Sequence, residues 1–263
     1  MHNRESVVDY AVEDGIARIF LNRPHRLNAV TPELVADLYR ALEQATHDKA
    51  GAAILAGRGR AFCAGHDLRQ DAVSTDEAEH RRRLQAIQNV TRAVRQAPYP
   101  VIAAVHGYAL GAGCEFALCS DLIVAAEDAT FGFPEVGVGL SVTGGISHVL
   151  PLCVGLPRAK ELILLGEKFG AQEAASLGLI NRVVAPAELD QAAFKLATTL
   201  RDRPRLALAR AKFALDRGAQ STIEAAYEVE IDHALATSRS NEAQEAAERF
   251  RTNAARPTRE DQQ

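Results

Sequence analysis

The 263-residue sequence has no apolar run near the roughly 18 residues that a membrane-spanning helix needs; its apolar stretches are short and broken by Gly, Pro or charge. Its opening, Met1-His2-Asn3-Arg4-Glu5, lacks the apolar stretch of a secretory signal. Neither sign of charge is in large excess: Lys+Arg 30 against Asp+Glu 34 gives a net charge of −4, with no basic footprint for nucleic acid. None of the four cysteines, Cys63, Cys114, Cys119 and Cys153, forms a CxxC pair, which weakens zinc and thioredoxin-type readings. No repeat of fixed period stands out. These absences predict a cytoplasmic chain with free, mostly buried thiols and with no membrane, nucleic-acid or metal partner.

What is present is a globular composition, 47% apolar and 24% charged. At about 150 residues per domain, the length predicts one large domain, or one plus a small appendage. Two apolar runs around Asp14-Gly15 predict a hairpin. Thr31-Pro32-Glu33 reads as N-cap, first-turn proline and first-turn acid of a helix carrying Leu34, Leu38 and Leu42. Buried strands are expected at 52–56, 101–105 and 122–125, with an amphipathic helix over 77–96. Strand and helix alternate, so the fold class is α/β with a mainly parallel core. After Pro151 the pattern turns helical, over 155–165, 171–177, 187–200, 204–217, 222–238 and 242–251, with one strand at 180–184. The polar tail after Asn253 is expected to fray.

The chemistry-bearing residues stand where strands end, the place where parallel sheets bind ligands. One segment is Arg60-Ala61-Phe62-Cys63-Ala64-Gly65-His66-Asp67-Leu68, the other His106-Gly107-Tyr108-Ala109-Leu110-Gly111-Ala112-Gly113-Cys114-Glu115-Phe116. Glycine admits close backbone approach. Small residues opening a helix leave N–H groups pointing outward, a seat for developing negative charge. Two such loops, each giving one N–H to one oxygen, would form an oxyanion hole. Taken singly, each is more simply a tight turn. Glu115 and Glu135 follow. A first-turn acid favoured by the helix dipole explains Glu115 well. It explains Glu135 less well, because the apolar, Gly-rich surroundings of that residue predict burial and with it a partner or a raised pKa.

Together, residues 60–68 and 105–135 resemble the crotonase (enoyl-CoA hydratase/isomerase) superfamily. The similarity runs from Asn22-Arg23-Pro24-His25-Arg26-Leu27-Asn28-Ala29 to 174–184, nearly the whole chain. It implies a spiral of ββα turns, a core over 1–195, and a helical C-terminal region over 196–263 that trimerises, with two trimers often stacking as a hexamer. It implies oxyanion donors at the backbone N–H groups of His66 and Ala112. Many relatives have glycine where Ala112 stands, and alanine there would be costly if the position required positive φ. It implies an acyl-CoA lying beside Ala64, Gly65, Asp67, Leu68 and Arg69, with Arg26, Leu27 and Ala29 flanking the CoA adenine; a solvated surface charge is the competing reading for both arginines. For His66 the leading reading is that only the amide matters, and the alternative is a ring that selects substrates. Asp67 is expected to order its loop and Asp121 to cap or pair at its strand.

The hydratases of this family carry both glutamates, so the resemblance implies hydration of a 2-enoyl-CoA. Glu135 would protonate the α-carbon and Glu115 would activate the water, with no cofactor beyond the CoA of the substrate. Isomerisation or another thioester-enolate reaction is the alternative within the fold, and a non-catalytic acyl-CoA-binding protein is the alternative outside enzymology. Relatives often have a proline and more glycines after the second glutamate, in the segment that lines the acyl end; here it reads Leu140-Ser141-Val142-Thr143-Gly144-Gly145-Ile146.

Overall fold

The computed structural model describes residues 6–69 and 76–254. The opening β1 (Val8–Glu13) and β2 (Ile16–Leu21) form the expected antiparallel hairpin. Asp14 and Gly15 turn it with φ of 49° and 71°, the backbone that Asp-Gly tolerates in two-residue turns. Along the chain follow α1 (Pro32–His47), β3 (Ala52–Gly57), α2 (Glu77–Gln96), β4 (Val101–Val105), β5 (Tyr108–Leu110), α3 (Ala112–Leu118), β6 (Leu122–Ala126), β7 (Thr130–Gly132), α4 (Ile146–Val154), α5 (Leu156–Leu165), β8 (Lys168–Gly170), α6 (Ala171–Ser176), β9 (Arg182–Val184) and α7 (Leu189–Arg201).

The helix starts follow from local chemistry. The Thr31 hydroxyl accepts the Leu34 N–H at 3.3 Å, and Pro32 occupies the first turn, where its missing N–H costs nothing. The Asp76 carboxylate accepts the Ala78 N–H at 2.9 Å to open α2.

Two sheets result. The large one has strand order β1-β2-β3-β4-β6-β9 and is parallel from β2 onward. Its central strands are buried on both faces, which is why 52–56 and 101–105 read as unbroken apolar runs. One face packs on Leu34, Leu38 and Leu42 of α1 and on Val90 and Val94 of α2. The other places Ile54, Ile102 and Val124 against Leu189, Ala193 and Leu196 of α7. Asp121 ties down the edge of β4, its carboxylate accepting the Val101 N–H at 2.7 Å.

The small sheet has the order β5-β7-β8. It makes the spiral: β4, β5 and α3 form one ββα turn, and β6, β7 and α4 the next. Before them, β3 leads to Cys63, which pairs with Ala109 as a one-residue strand, and then to α2. The pattern of the sequence did not anticipate β5, β7, β8 or α4. The three strands are three residues each, too short to show a period, and α4 carries Pro151 inside it.

The chain divides after Arg201 into two compact units. This differs from the expected boundary at 195/196, which falls inside α7. The helix stays whole with the first unit because Leu189, Ala193, Leu196 and Ala197 are buried in the core of the large sheet. The second unit comprises α8 (Arg205–Gly218), α9 (Ile223–Ser238) and α10 (Asn241–Ala254). Thr222 caps α9, its hydroxyl accepting the Ala225 N–H at 3.3 Å. None of its described residues from 202 to 252 is buried. The expected fraying of the tail falls, from residue 255 on, outside the described residues. Of the cysteines, Cys63, Cys114 and Cys119 are buried and Cys153 is exposed; all four are free. Among the described residues no helix is long and apolar enough to cross a membrane.

Candidate active site

The site is built where the two glycine turns meet. Cys63 donates its N–H to Tyr108 O at 2.8 Å and accepts that of Leu110 at 3.0 Å. On the other side of the same loop, Val30 donates to Gly65 O at 2.8 Å and accepts the Asp67 N–H at 3.0 Å. Residues 63–67 are therefore clamped from both sides. Gly65 has φ 89°, and a Cβ there would lie 2.8 Å from Leu110 O. Gly111, with φ 53° and ψ −125°, would bring a Cβ to 2.7 Å from Glu135 Oε1 and 3.8 Å from Gly65 Cα. At Gly113 a Cβ would meet Cys63 O at 2.2 Å. The turns touch at glycines because only glycine fits.

His66 directly follows Gly65, and Ala112 directly follows Gly111, so the structure sets the two expected donor positions side by side. Ala112 opens α3, where first-turn N–H groups have no acceptor inside the helix. The positive φ sits on Gly111 and not on Ala112. The alanine therefore carries no backbone strain, and the concern raised by its methyl group disappears.

Both carboxylates are buried at this crossing. Glu135 lies in the 3-10 turn Pro134–Val138, is 5% exposed, and has a buried Oε2 with no hydrogen-bond partner among the described residues. Burial, and secondarily the charge of Glu115, pushes its pKa up to about 7. Glu115 is 1% exposed in the first turn of α3. Its Oε1 accepts the Thr143 N–H and its Oε2 the Thr143 hydroxyl, each at 2.6 Å. Burial raises its pKa, and the two Thr143 bonds oppose that rise. Nearby, burial pushes the Cys63 thiol up to about 12 and that of Cys114 higher still, so both stay neutral.

A cavity of about 710 Å³ opens beside these groups, its wall including His66, Leu68, Leu84, Ile87, Val142 and Thr143. It lies between the start of α1, the middle of α2 and residues 139–143. His66 thus borders the cavity, and the unusual 140–143 run forms part of its wall.

The other expected site residues occupy a neighbouring strip. Arg26 is exposed, Leu27 half-buried with φ 51°, and Ala29 buried. Ala64, half-buried, donates its N–H to Leu27 O at 3.0 Å, which joins the two segments expected to hold the CoA. Arg69 is exposed and donates its N–H to Asp67 Oδ1 at 3.3 Å. Asp67 itself is buried against Arg23, with Nη2 to Oδ2 at 3.0 Å, and orders its loop as expected.

The sequence reading assigned no role to Arg23, and none of their own to Asn28 and Thr143 beyond lying in the segments expected beside the CoA and the acyl end. Arg23 holds Asp67 and also donates to Ala29 O. Asn28, at φ 56°, accepts the Arg23 N–H and donates its amide to Arg58 O, Ala61 O and Phe62 O at 2.8–3.1 Å. Both stand in the 22–29 segment that carries the family resemblance, the one signal that could have found them. Thr143 gave none, since its partner lies 28 residues away. Among the described residues no cluster of three His, Cys, Asp or Glu side chains is arranged to hold a metal ion.

The chain matches the enoyl-CoA hydratase/isomerase family over residues 11–257. A crotonyl-CoA hydratase of Syntrophomonas wolfei is 37% identical over 224 residues, 84% of this chain and 85% of that protein. A short-chain-enoyl-CoA hydratase of Clostridium acetobutylicum is 35% identical over 224 residues, with 84% and 85% covered. Among solved structures, an enoyl-CoA hydratase of Mycobacterium smegmatis matches with a TM-score of 0.90 at 32% identity, over 97% of this chain and 99% of that one.

Proposed function

The chain belongs to the enoyl-CoA hydratase/isomerase family and has the crotonase fold, and we propose that it adds water across the 2,3 double bond of an enoyl-CoA thioester. The observation that carries this reading is the presence of two buried carboxylates, Glu115 and Glu135, at the contact of the two glycine turns. In this reading the thioester carbonyl accepts the His66 and Ala112 N–H groups. As water adds at the β-carbon, negative charge moves onto that oxygen, where each donor is worth about 3–4 kcal/mol. Glu135, with its pKa near neutrality, supplies the proton to the α-carbon. Glu115, held by two hydrogen bonds that favour its ionised form, takes the proton of the water. The acyl group extends into the apolar cavity, and the CoA runs along Ala64–Arg69 and Arg26–Ala29. The chemistry needs no metal and no cofactor beyond the substrate's own CoA.

The test is direct. The purified protein is expected to convert crotonyl-CoA, or a longer or branched 2-enoyl-CoA, to the 3-hydroxyacyl product with incorporation of oxygen from labelled water. Binding across the thioester panel with no product at all would favour a non-catalytic acyl-CoA carrier. One observation favours isomerisation instead: both oxygens of Glu115 are already engaged by Thr143, as a purely structural carboxylate would be. In that case a 3-enoyl-CoA is converted without uptake of labelled oxygen.

The assembly proposed is a homotrimer or a hexamer of two trimers. Its support is the second unit, in which Leu215, Ile223, Ile231 and Phe250 are each more than half exposed and no described residue is buried. An unpartnered apolar helical face of this kind calls for a neighbour. Sedimentation equilibrium is expected to give three or six times the mass of one chain; the mass of a single chain would refute the assembly.

A further inference from the structure

We propose that the hydroxyl of Thr143 meets the reacting water and passes its proton on to Glu115. The inference rests on the hydratase reading above and assigns the path by which the proton of the water reaches Glu115. Thr143 is part of the cavity wall, and Glu115, 1% exposed, is like Glu135 not among the described residues lining it. Thr143 touches both, its Oγ1 lying 2.6 Å from Glu115 Oε2. Its N–H fixes the other carboxylate oxygen, also at 2.6 Å. The next residue, Gly144, has φ 60°, and a Cβ there would lie 2.9 Å from Glu115 Cβ. The 143–144 backbone is thus pressed against the glutamate, and no oxygen of Glu115 is left without a bond to Thr143.

A hydroxyl carries one proton and two lone pairs. With its proton directed at Glu115, Oγ1 has lone pairs left for a water in the cavity. The water oxygen forms its bond to the β-carbon as one water O–H bond breaks. That proton goes to Oγ1, and the former Oγ1 proton goes to Oε2 of Glu115. The electron pair of the alkene moves onto the thioester oxygen as an enolate, which returns it to the α-carbon to take the proton of Glu135. The products are the 3-hydroxyacyl thioester, protonated Glu115, ionised Glu135 and an unchanged Thr143. Proton exchange with solvent resets the two carboxyl groups.

Thr143→Val tests this, because valine keeps the shape and the N–H bond to Oε1 and deletes only the O–H. The valine variant is expected to lose about a hundredfold or more in kcat, the scale of a positioned proton-transfer group, with KM little changed. Thr143→Ser is expected to restore most of the rate. Retention of the wild-type kcat by the valine variant overturns the proposal, as does a serine variant as slow as the valine one. Should the valine variant not fold, Thr143→Ser against Thr143→Ala makes the same comparison, and equal rates in those two overturn it. Hydration by the wild type with an unaffected valine variant refutes the relay alone. Absence of hydration by the wild type refutes the hydratase reading itself.

Discussion

Glu135→Gln is expected to abolish turnover while making the protein more stable above neutral pH. Loss of a positioned acid costs roughly a hundredfold to ten-thousandfold in rate. Binding should survive, because the carbonyl would still meet the His66 and Ala112 N–H groups. The stability gain follows from the environment of the carboxylate. Glu135 is buried, and its Oε2 has no hydrogen-bond partner among the described residues. Burial raises its pKa to about 7 from the usual 4.5 of a glutamate. Between those values the folded chain holds a proton that the unfolded chain has released. Stability therefore falls as pH rises through this window, and the loss is complete above pH 7. At about 1.4 kcal/mol per pH unit, reduced by solvent screening of a carboxylate beside a cavity, the neutral amide should gain on the order of 2–3 kcal/mol at pH 8 and little at pH 4. Thermal unfolding of both proteins across that range, together with thioester binding by calorimetry, measures the two halves. The same titration gives the wild type a kcat/KM that declines as pH rises past about 7, because the proton donor is lost. A variant that turns over at the wild-type rate would remove Glu135 from the chemistry.

The second large effect is expected from one methyl group. Gly113→Ala places a Cβ at 2.2 Å from Cys63 O and 2.8 Å from Cys63 C, both backbone atoms that no rotamer change can move aside. The two turns must separate. Overpacking of this kind costs about 1–3 kcal/mol of stability. The catalytic penalty should be larger, because the turns carry His66 and Ala112, and a displacement of about 1 Å can cost a hundredfold. A drop of roughly 10²–10³ in kcat/KM is expected, the scale of one lost oxyanion donor. Gly218→Ala is the control: nothing lies within 4 Å of its Cβ, it has no positive φ, and it stands in the second unit. Steady-state kinetics and urea unfolding of both variants decide the matter. Near-wild-type activity in Gly113→Ala would mean that the contact of the two turns does not set the geometry of the site.

Local chemistry wrote some parts of this fold plainly into the sequence. Asp14-Gly15, Thr31-Pro32 and the charged repeat of α2 each act within a few residues, so their elements appear where the pattern places them. The central strands were legible for a different reason: burial on both faces leaves an unbroken apolar run. The small sheet was silent because β5, β7 and β8 are defined by partners rather than by periodicity, and three residues carry none. The burial of Glu135 could be read from its apolar, Gly-rich neighbours. The carbonyls clamped by Asn28 and the hold of Thr143 on Glu115 could not, since each joins residues far apart in the chain. The position of the positive φ, on Gly111 and not on Ala112, likewise depends on where α3 begins.

The crossing of the turns is made of main chain, whereas the cavity beside it is walled mostly by residues of the start of α1, of α2 and of 139–143. In the proposed reading the room for the acyl tail is set mostly by this wall and the polarisation of the thioester by the main chain, with His66 and Thr143 belonging to both. Replacing Leu84, Ile87 or Val142 can reshape the room for an acyl tail while the polarising amides stay in place. Divergence among such proteins has a ready route in this separation: new tails are accommodated by wall residues, and the machinery that activates the thioester is inherited intact.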